Sequence, residues 1–352
     1  VVMVFSASAP YATRTQGNPL YYFERDAIFA VIGSVVMIIL SRINYRIYKH
    51  FALPILALTL LISLFVFIPG IGIEINGAHR WIGVGEFTIM PSDLVKVSGV
   101  IYLSAYLTNR KLRENGTFSV LGHVLFIIFI AILPIYFQPN FSAVIVIAAS
   151  LFLTYLVGGM NLKHLLIFAV IGAVGAAVAF WPYPGNYRLE RLLIVFDPMK
   201  DPMHTGWQLL QSLFAVSSGG VFGAGFGHSR QKFDYLADEP HNDFIFAVIS
   251  EELGFVGAFL LILAFCFLIY RALKATKKSQ SAFGHLLGSG LRFIIGIQAL
   301  INIGVSIGLV PPTGITLPFV SYGGSSLIVM CAIAGILLNI SRDEARSRHE
   351  TN

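Results

Sequence analysis

One carboxylate stands out in a chain otherwise poor in charge. Asp243 lies in His241-Asn242-Asp243-Phe244-Ile245-Phe246-Ala247, where a polar stretch gives way to an apolar one. At the mouth of an apolar helix such an acid has two uses. It can cap the helix by accepting from the first free amides, or, with burial raising its pKa, serve as a general base. Glu251 and Glu252 follow two turns deeper, where ionisable groups are costly and are either functional or paired. Asp93 and Lys96, in Pro91-Ser92-Asp93-Leu94-Val95-Lys96, are three apart and share one helix face. They either neutralise each other as a structural pair or line a substrate cavity.

Cations and glycines supply the other candidates. In Asn76-Gly77-Ala78-His79-Arg80-Trp81-Ile82, Arg80 can grip phosphate bidentately, and Trp81 can lie at a membrane interface or stack on a sugar face. The run from Gly219 to Lys232 holds five glycines followed by Arg230 and Lys232. It could bring backbone amides close to a pyrophosphate, or simply let a loop bend back into the membrane; it matches neither a Walker loop nor a Rossmann turn. Arg188 and Arg191 form a further basic patch, either solvated or binding anionic headgroups. Ser321 lies in Pro311-to-Ser326, too apolar for a solvated loop and too rich in Pro and Gly for one helix, so that stretch must be buried or line a cavity. His123, His164 and His285 read as interfacial, and no His-x-x-x-His pair suggests a structural zinc. Cys266 and Cys331 both lie in apolar runs and read as buried free thiols.

The elements that must position these groups are apolar helices. Of 352 residues 56% are hydrophobic and only 12% charged, about half the charged share of a soluble domain. The mean hydropathy is +0.76, and runs long enough to cross about 30 Å of hydrocarbon recur along the whole length. The expectation is therefore an all-α polytopic membrane protein, one domain over 1–352. Ten crossings are expected near 1–9, 25–41, 52–69, 91–107, 120–137, 141–157, 164–181, 243–270, 286–309 and 324–340. The first looks trimmed: Val1 to Ser6 read as the second half of a helix, with no charged n-region of a signal peptide. Basic residues crowd one set of short loops: Arg42, Arg46 and Lys49; Arg110, Lys111 and Arg113; Lys163; Arg271 to Lys278; and the tail with Arg342, Arg346 and Arg348. By the positive-inside rule these loops and both termini face the cytoplasm. The long segment 182–242 then lies outside, and within it Trp207 to Val216 reads as an amphipathic helix at the membrane surface.

Taken together, four blocks resemble the SEDS family (shape, elongation, division and sporulation). They are Asn76-Gly77-Ala78-x-Arg80-Trp81-Ile82; Gly225-x-Gly227-x-Ser229-x-Gln231-Lys232; Asp243-Phe244-Ile245-Phe246-Ala247 with Glu251-Glu252-Leu253-Gly254; and Thr313-Gly314-x-x-Leu317-Pro318-Phe319-x-Ser321-Tyr322-Gly323-Gly324-Ser325-Ser326. The likeness spans nearly the whole chain, and the division and sporulation branch fits better than the elongation branch. Two positions depart from the family's habit: Met90-Pro91-Ser92-Asp93 stands where Gln-Pro-Ser-Glu is commoner, shortening the carboxylate by one methylene, and Gln138-Pro139-Asn140 where Gln-Pro-Asp is often found.

The resemblance implies a ten-helix fold in the bacterial inner membrane and a peptidoglycan glycosyltransferase that polymerises lipid II, releasing undecaprenyl pyrophosphate. By the same likeness Asp243 matches the family's essential aspartate, Asp93 with Lys96 its intramembrane acid–lysine pair, and Arg80 with Trp81 its outer-loop motif. Arg80, Arg188, Arg191 and Lys232 are the outer-face cations available to the leaving pyrophosphate, with Mg²⁺ or Mn²⁺ bridging the phosphates as a further option and no protein-bound metal expected. The implied partner is a class B penicillin-binding protein, a transpeptidase, alongside other division or elongation machinery; nucleic acid is not expected. Two rival readings are a lipid II flippase and a scaffold without chemistry, although no inverted repeat of interrupted helices supports transport.

Overall fold

The computed structural model describes residues 1–75, 78–84, 87–109, 116–182, 186–203, 206–234, 236 and 241–342. Asn76-Gly77, the basic loop Arg110-Lys111-Arg113, Pro184-Gly185, Asp238-Glu239-Pro240 and the tail residues Arg346 and Arg348 lie outside the described residues.

Helices dominate. In chain order they are α1 (Val2–Gln16), α2 (Tyr21–Arg42), α3 (Ile47–His50), α4 (Ala52–Leu64), α5 (Pro91–Leu107), α6 (Thr117–Phe137), α7 (Phe141–Val157), α8 (Leu162–Ala179), α9 (Tyr187–Phe196), α10 (Trp207–Ser218), α11 (Gln231–Asp234), α12 (Ile245–Lys277), α13 (Ala282–Ser306) and α14 (Gly324–Ser341). Each apolar run expected to cross is helical, as it must be where no water can satisfy backbone groups. Among the described residues, α6, α8, α12, α13 and α14 are long and apolar enough to cross a membrane.

Helix starts follow from local chemistry. Pro91 occupies the first turn of α5, where its missing N–H costs nothing. Asn140 caps α7 by accepting from Ala143 N at 3.2 Å, and Asn161 caps α8 by accepting from Lys163 N at 3.0 Å.

The expectation of an all-α chain needs correcting to a mostly helical one. Gly72–Ile75, Ala78–Val84 and Phe87–Ile89 form β1, β2 and β3 of a three-stranded antiparallel sheet in that order. Alternating β-branched and aromatic residues favour strands there. Ile73 pairs with Trp81 and Glu74 with His79, so the register slips and Arg80 is the bulged residue.

The chain forms two compact units. The first comprises 1–27, 161–265 and 298–323; the second comprises 28–160, 266–297 and 324–352. The second unit is cored on α5, which packs on α4 and α7. Val95, Val100, Leu103, Ile147 and Leu151 are fully buried there, and Thr59 and Ser98 share a hydrogen bond of 2.6 Å.

In the first unit α12 is broken at Gly254 (φ 68°, ψ −168°), a conformation open to glycine. The glycine-rich run docks into that break. Ala224 N and Gly225 N donate to the carbonyls of Glu251 and Glu252, while Phe255 N and Val256 N donate to those of Gly220 and Val221. A Cβ at Gly219 would stand 2.0 Å from Ser250 O, and one at Gly223 2.1 Å from Glu252 O. Gly219 and Gly223 are thus needed for backbone-on-backbone packing, whereas Gly220 and Gly227 have open space where a Cβ would stand and a positive φ instead.

α10 is a helix as expected, but not one lying free at a surface. Its polar Gln211 and Ser212 are buried with Leu209 and Leu210, and Ser212 Oγ donates to Ser306 O at 2.8 Å, tying α10 to the end of α13.

Candidate active site

Asp243 is half-buried, in the turn just before α12. Its backbone is fastened from one direction. Tyr322 N donates to His241 O at 3.0 Å, Ser321 Oγ to Asn242 O at 2.7 Å, and Asn302 Nδ2 to Asp243 O at 3.0 Å. Three consecutive carbonyls are therefore held by residues from 302–322. Ser321 also accepts from Leu317 N at 2.8 Å, and Asn302 donates a second bond, to Ile315 O at 2.7 Å. The irregular stretch from Pro311 is thus pinned to the turn carrying Asp243. Asn302 escaped the sequence reading, although an amide within an apolar helix was the available signal.

Ser321 was expected to bind substrate. It is only 5% exposed and its hydroxyl both donates and accepts within the protein, so its evident work is positioning. Lys232 calls for a firmer correction. Rather than offering an open charge to pyrophosphate, it is 3% exposed, and its Nζ lies 2.6 Å from Glu252 Oε1 and 3.1 Å from Ser6 Oγ. Ser6 Oγ in turn donates to the Glu252 carboxylate at 2.6 Å. Glu251 accepts from Ser229 Oγ and, at 2.8 Å, from Arg230 N, gathering the start of α11. A mainly apolar cavity of about 340 Å³ opens against this network, walled by Phe5, Ala9, Phe226 and Phe233 together with Ser6 and Lys232 themselves. Asp243 is not among its lining residues.

Arg188 and Arg191 sit on α9, whose start is set by Asn186. That side chain accepts from Arg188 N at 3.1 Å and donates to Ala179 O and Trp181 O at 3.2 and 2.8 Å, joining the end of α8 to α9. Spaced three apart, the two arginines share a face; Arg191 Nη1 reaches Pro312 O at 3.1 Å.

The remaining candidates belong to the second unit. Asp93 and Lys96 are buried and 2.6 Å apart, so the shorter carboxylate still closes the pair. Arg80, the bulged residue, donates from Nη2 to Pro139 O at 2.6 Å, and Trp81 is half-buried on β2. In the first unit, His164 is buried at 2% exposure near the start of α8. One sequence reading changes: Cys266 is exposed, whereas Cys331 is buried. Among the described residues no three His, Cys, Asp or Glu side chains gather as they would around a metal.

His241 was passed over as a site residue. Its ring is fully buried, lies 4.4 Å from the Tyr22 ring centroid and near those of Tyr322 and Tyr11, and burial holds its pKa far below the usual range, at about 3.

Fold and composition define a multi-pass helical membrane protein. Its sequence matches the FtsW/RodA/SpoVE family of cell cycle proteins over residues 1–346. It is 38% identical over 344 residues to stage V sporulation protein E of Bacillus subtilis (strain 168), covering 97% of this chain and 93% of that one. It is 39% identical over 351 residues to a probable peptidoglycan glycosyltransferase FtsW of Nitrosococcus halophilus (strain Nc4), covering 96% of this chain and 87% of that one. Among solved structures, a chain from work on the structural coordination of polymerization and crosslinking by a peptidoglycan synthase complex superposes with a TM-score of 0.79 at 28% identity over 97% of both chains. The rod shape determining protein RodA of Thermus thermophilus shares the fold, with a TM-score of 0.68 at 24% identity, covering 97% of this chain and 95% of that one. The chain belongs to the SEDS family, the FtsW/RodA/SpoVE group.

Proposed function

We propose that Asp243 is the general base of the peptidoglycan glycosyltransferase reaction that this chain carries out. The 4-hydroxyl of the incoming lipid II N-acetylglucosamine attacks the anomeric carbon of the growing strand. A new C–O glycosidic bond forms as the bond to undecaprenyl pyrophosphate breaks with inversion. The hydroxyl proton passes to the Asp243 carboxylate, and the leaving oxygen takes the bonding electron pair. One observation carries this reading: the half-buried acid is set on a turn whose three successive carbonyls are each held, the rigidity that positioned proton transfer needs.

Arg188 and Arg191 are proposed to meet the pyrophosphate charge from the first unit. Arg80, Trp81, Asp93 and Lys96, in the second, keep their proposed parts in substrate binding, to be judged by their own variants. Mg²⁺ or Mn²⁺ carried on the substrate's phosphates would share that charge. Ten crossings, an inner-membrane setting with both termini cytoplasmic, and 182–242 on the outer face complete the proposal; charge in the short loops supports it. A class B penicillin-binding protein is the proposed partner, supported by the relative from a complex that joins polymerization to crosslinking. The names of the sporulation and FtsW relatives favour the division and sporulation branch.

Asp243→Asn in proteoliposomes with purified lipid II tests the central point. Loss of glycan strands with the protein folded and inserted supports it; undiminished polymer removes Asp243 from the mechanism. Headgroup translocation with no polymer from the wild-type chain would instead favour a flippase.

A further inference from the structure

His241 is buried to 0% exposure, and among the described residues neither ring nitrogen has a hydrogen-bond partner. Buried polar atoms without partners are uncommon and destabilising, and a phenyl ring would fill the same space without that cost. Three tyrosines from separate stretches of chain surround the imidazole: Tyr22 at 4.4 Å between ring centroids, Tyr322 at 5.3 Å and Tyr11 at 5.8 Å. Each of the three is half-buried, so part of each faces outward. His241, at the centre of the cage, is two residues from Asp243, so their Cα atoms are at most about 7 Å apart.

The chemistry narrows what such a place accepts. A neutral imidazole has one donor and one acceptor nitrogen, matching a hydroxyl or an amide, and Arg25, a cation that touches the cage, is already hydrogen-bonded to Tyr322. Tyrosine rings give large, stiff, amphipathic contact area with a polar tip, suited to the C–H face and hydroxyl edge of a pyranose. We propose that Tyr11, Tyr22 and Tyr322, with His241 at their floor, form a saccharide subsite that holds the acceptor sugar beside Asp243, the rings parting so that a hydroxyl or N-acetyl group meets the imidazole. This rests on the reading of Asp243 as the base.

The test uses the full chain in proteoliposomes, with a preformed lipid-linked strand as donor and lipid II as acceptor. His241→Phe is expected to keep or raise the thermal midpoint while raising KM for lipid II tenfold or more. His241→Gln, which restores a donor and an acceptor, is expected to recover part of that loss. Asp243→Asn should instead lose turnover with KM near the wild-type value. A wild-type KM in folded His241→Phe overturns the subsite and leaves the base intact. A KM shift on the preformed strand alone overturns the acceptor assignment. Wild-type turnover in Asp243→Asn overturns the base itself, whatever His241 does. Should His241→Phe not fold, Tyr22→Leu on the half-buried rim carries the same expectation and the same overturning result.

Discussion

Two acidic stations lie within ten residues of each other, and they are built in opposite ways. At Glu251 and Glu252 the carboxylates themselves are engaged, by Ser229, Arg230 N, Ser6 and Lys232, and both residues are at most 2% exposed. At Asp243 the backbone carbonyl is the anchored atom, held by Asn302, and the residue is half-buried. An acid clasped by its side chain is part of the fabric. At 243 it is the main chain that is seen to be fixed, the arrangement that the proposed base needs. Inverting this contrast by mutation should invert the outcome.

The largest effect is expected at the second station. Asp243→Asn should lower the strand-forming rate by about 10²–10⁴-fold, the usual worth of positioned proton transfer, while the thermal midpoint stays near wild type; a matching loss of stability would place Asp243 with the fabric. Next, Glu252→Ala or Lys232→Ala should destabilise the chain by about 3–5 kcal/mol, because a buried partner is left alone. Thermal unfolding in detergent measures this. The paired Lys232→Met, Glu252→Leu variant should regain much of the loss and still polymerise, an outcome that Lys232 as a pyrophosphate ligand forbids.

Ser321→Ala and Asn302→Ala remove one anchor each from the Asp243 turn. Losing a buried hydrogen bond of about 1–3 kcal/mol should lower kcat by roughly tenfold to a hundredfold, with KM for lipid II unchanged. A pure stability loss with normal kcat in the folded fraction would erase the distinction between the stations. The smallest effect concerns pH. His241 is held neutral at about 3 in the fold, against about 6.5 when unfolded. The unfolded chain therefore takes up the proton first as pH falls. The stability this neutral ring permits is complete above about pH 6.5 and drains away toward pH 3. Melting curves across that window should show the slope, and His241→Phe should flatten it.

What the sequence disclosed was mostly local. Apolar runs marked the helices because hydrocarbon demands internal hydrogen bonding over a fixed length. The Asp93–Lys96 pair was visible because a spacing of three on one helix needs no knowledge of the rest of the fold. The sheet is the exception: Asn76-Gly77 between apolar runs is a strong hairpin signal, and Arg80 and Trp81 are strand residues as well as members of a candidate binding motif. Lys232 misled for a different reason. Its partners Glu252 and Ser6 lie 20 and 226 residues away, and no periodicity announces such a meeting. The ring of tyrosines around His241 likewise draws on positions far away in the chain, Tyr11 and Tyr22 near its start and Tyr322 near its end.

The break at Gly254 shortens the uninterrupted apolar helix that α12 can offer a bilayer. From Phe255 to Tyr270, before the basic run that opens at Arg271, lie 16 residues, about 24 Å of helix at 1.5 Å each and short of a hydrocarbon core of about 30 Å. Ile245 to Leu253 adds about 13 Å on the other side of the break. On the proposed topology the crossing therefore needs both pieces, and the interruption falls within it. The glycine-rich run that fills the gap supplies backbone partners where water could not.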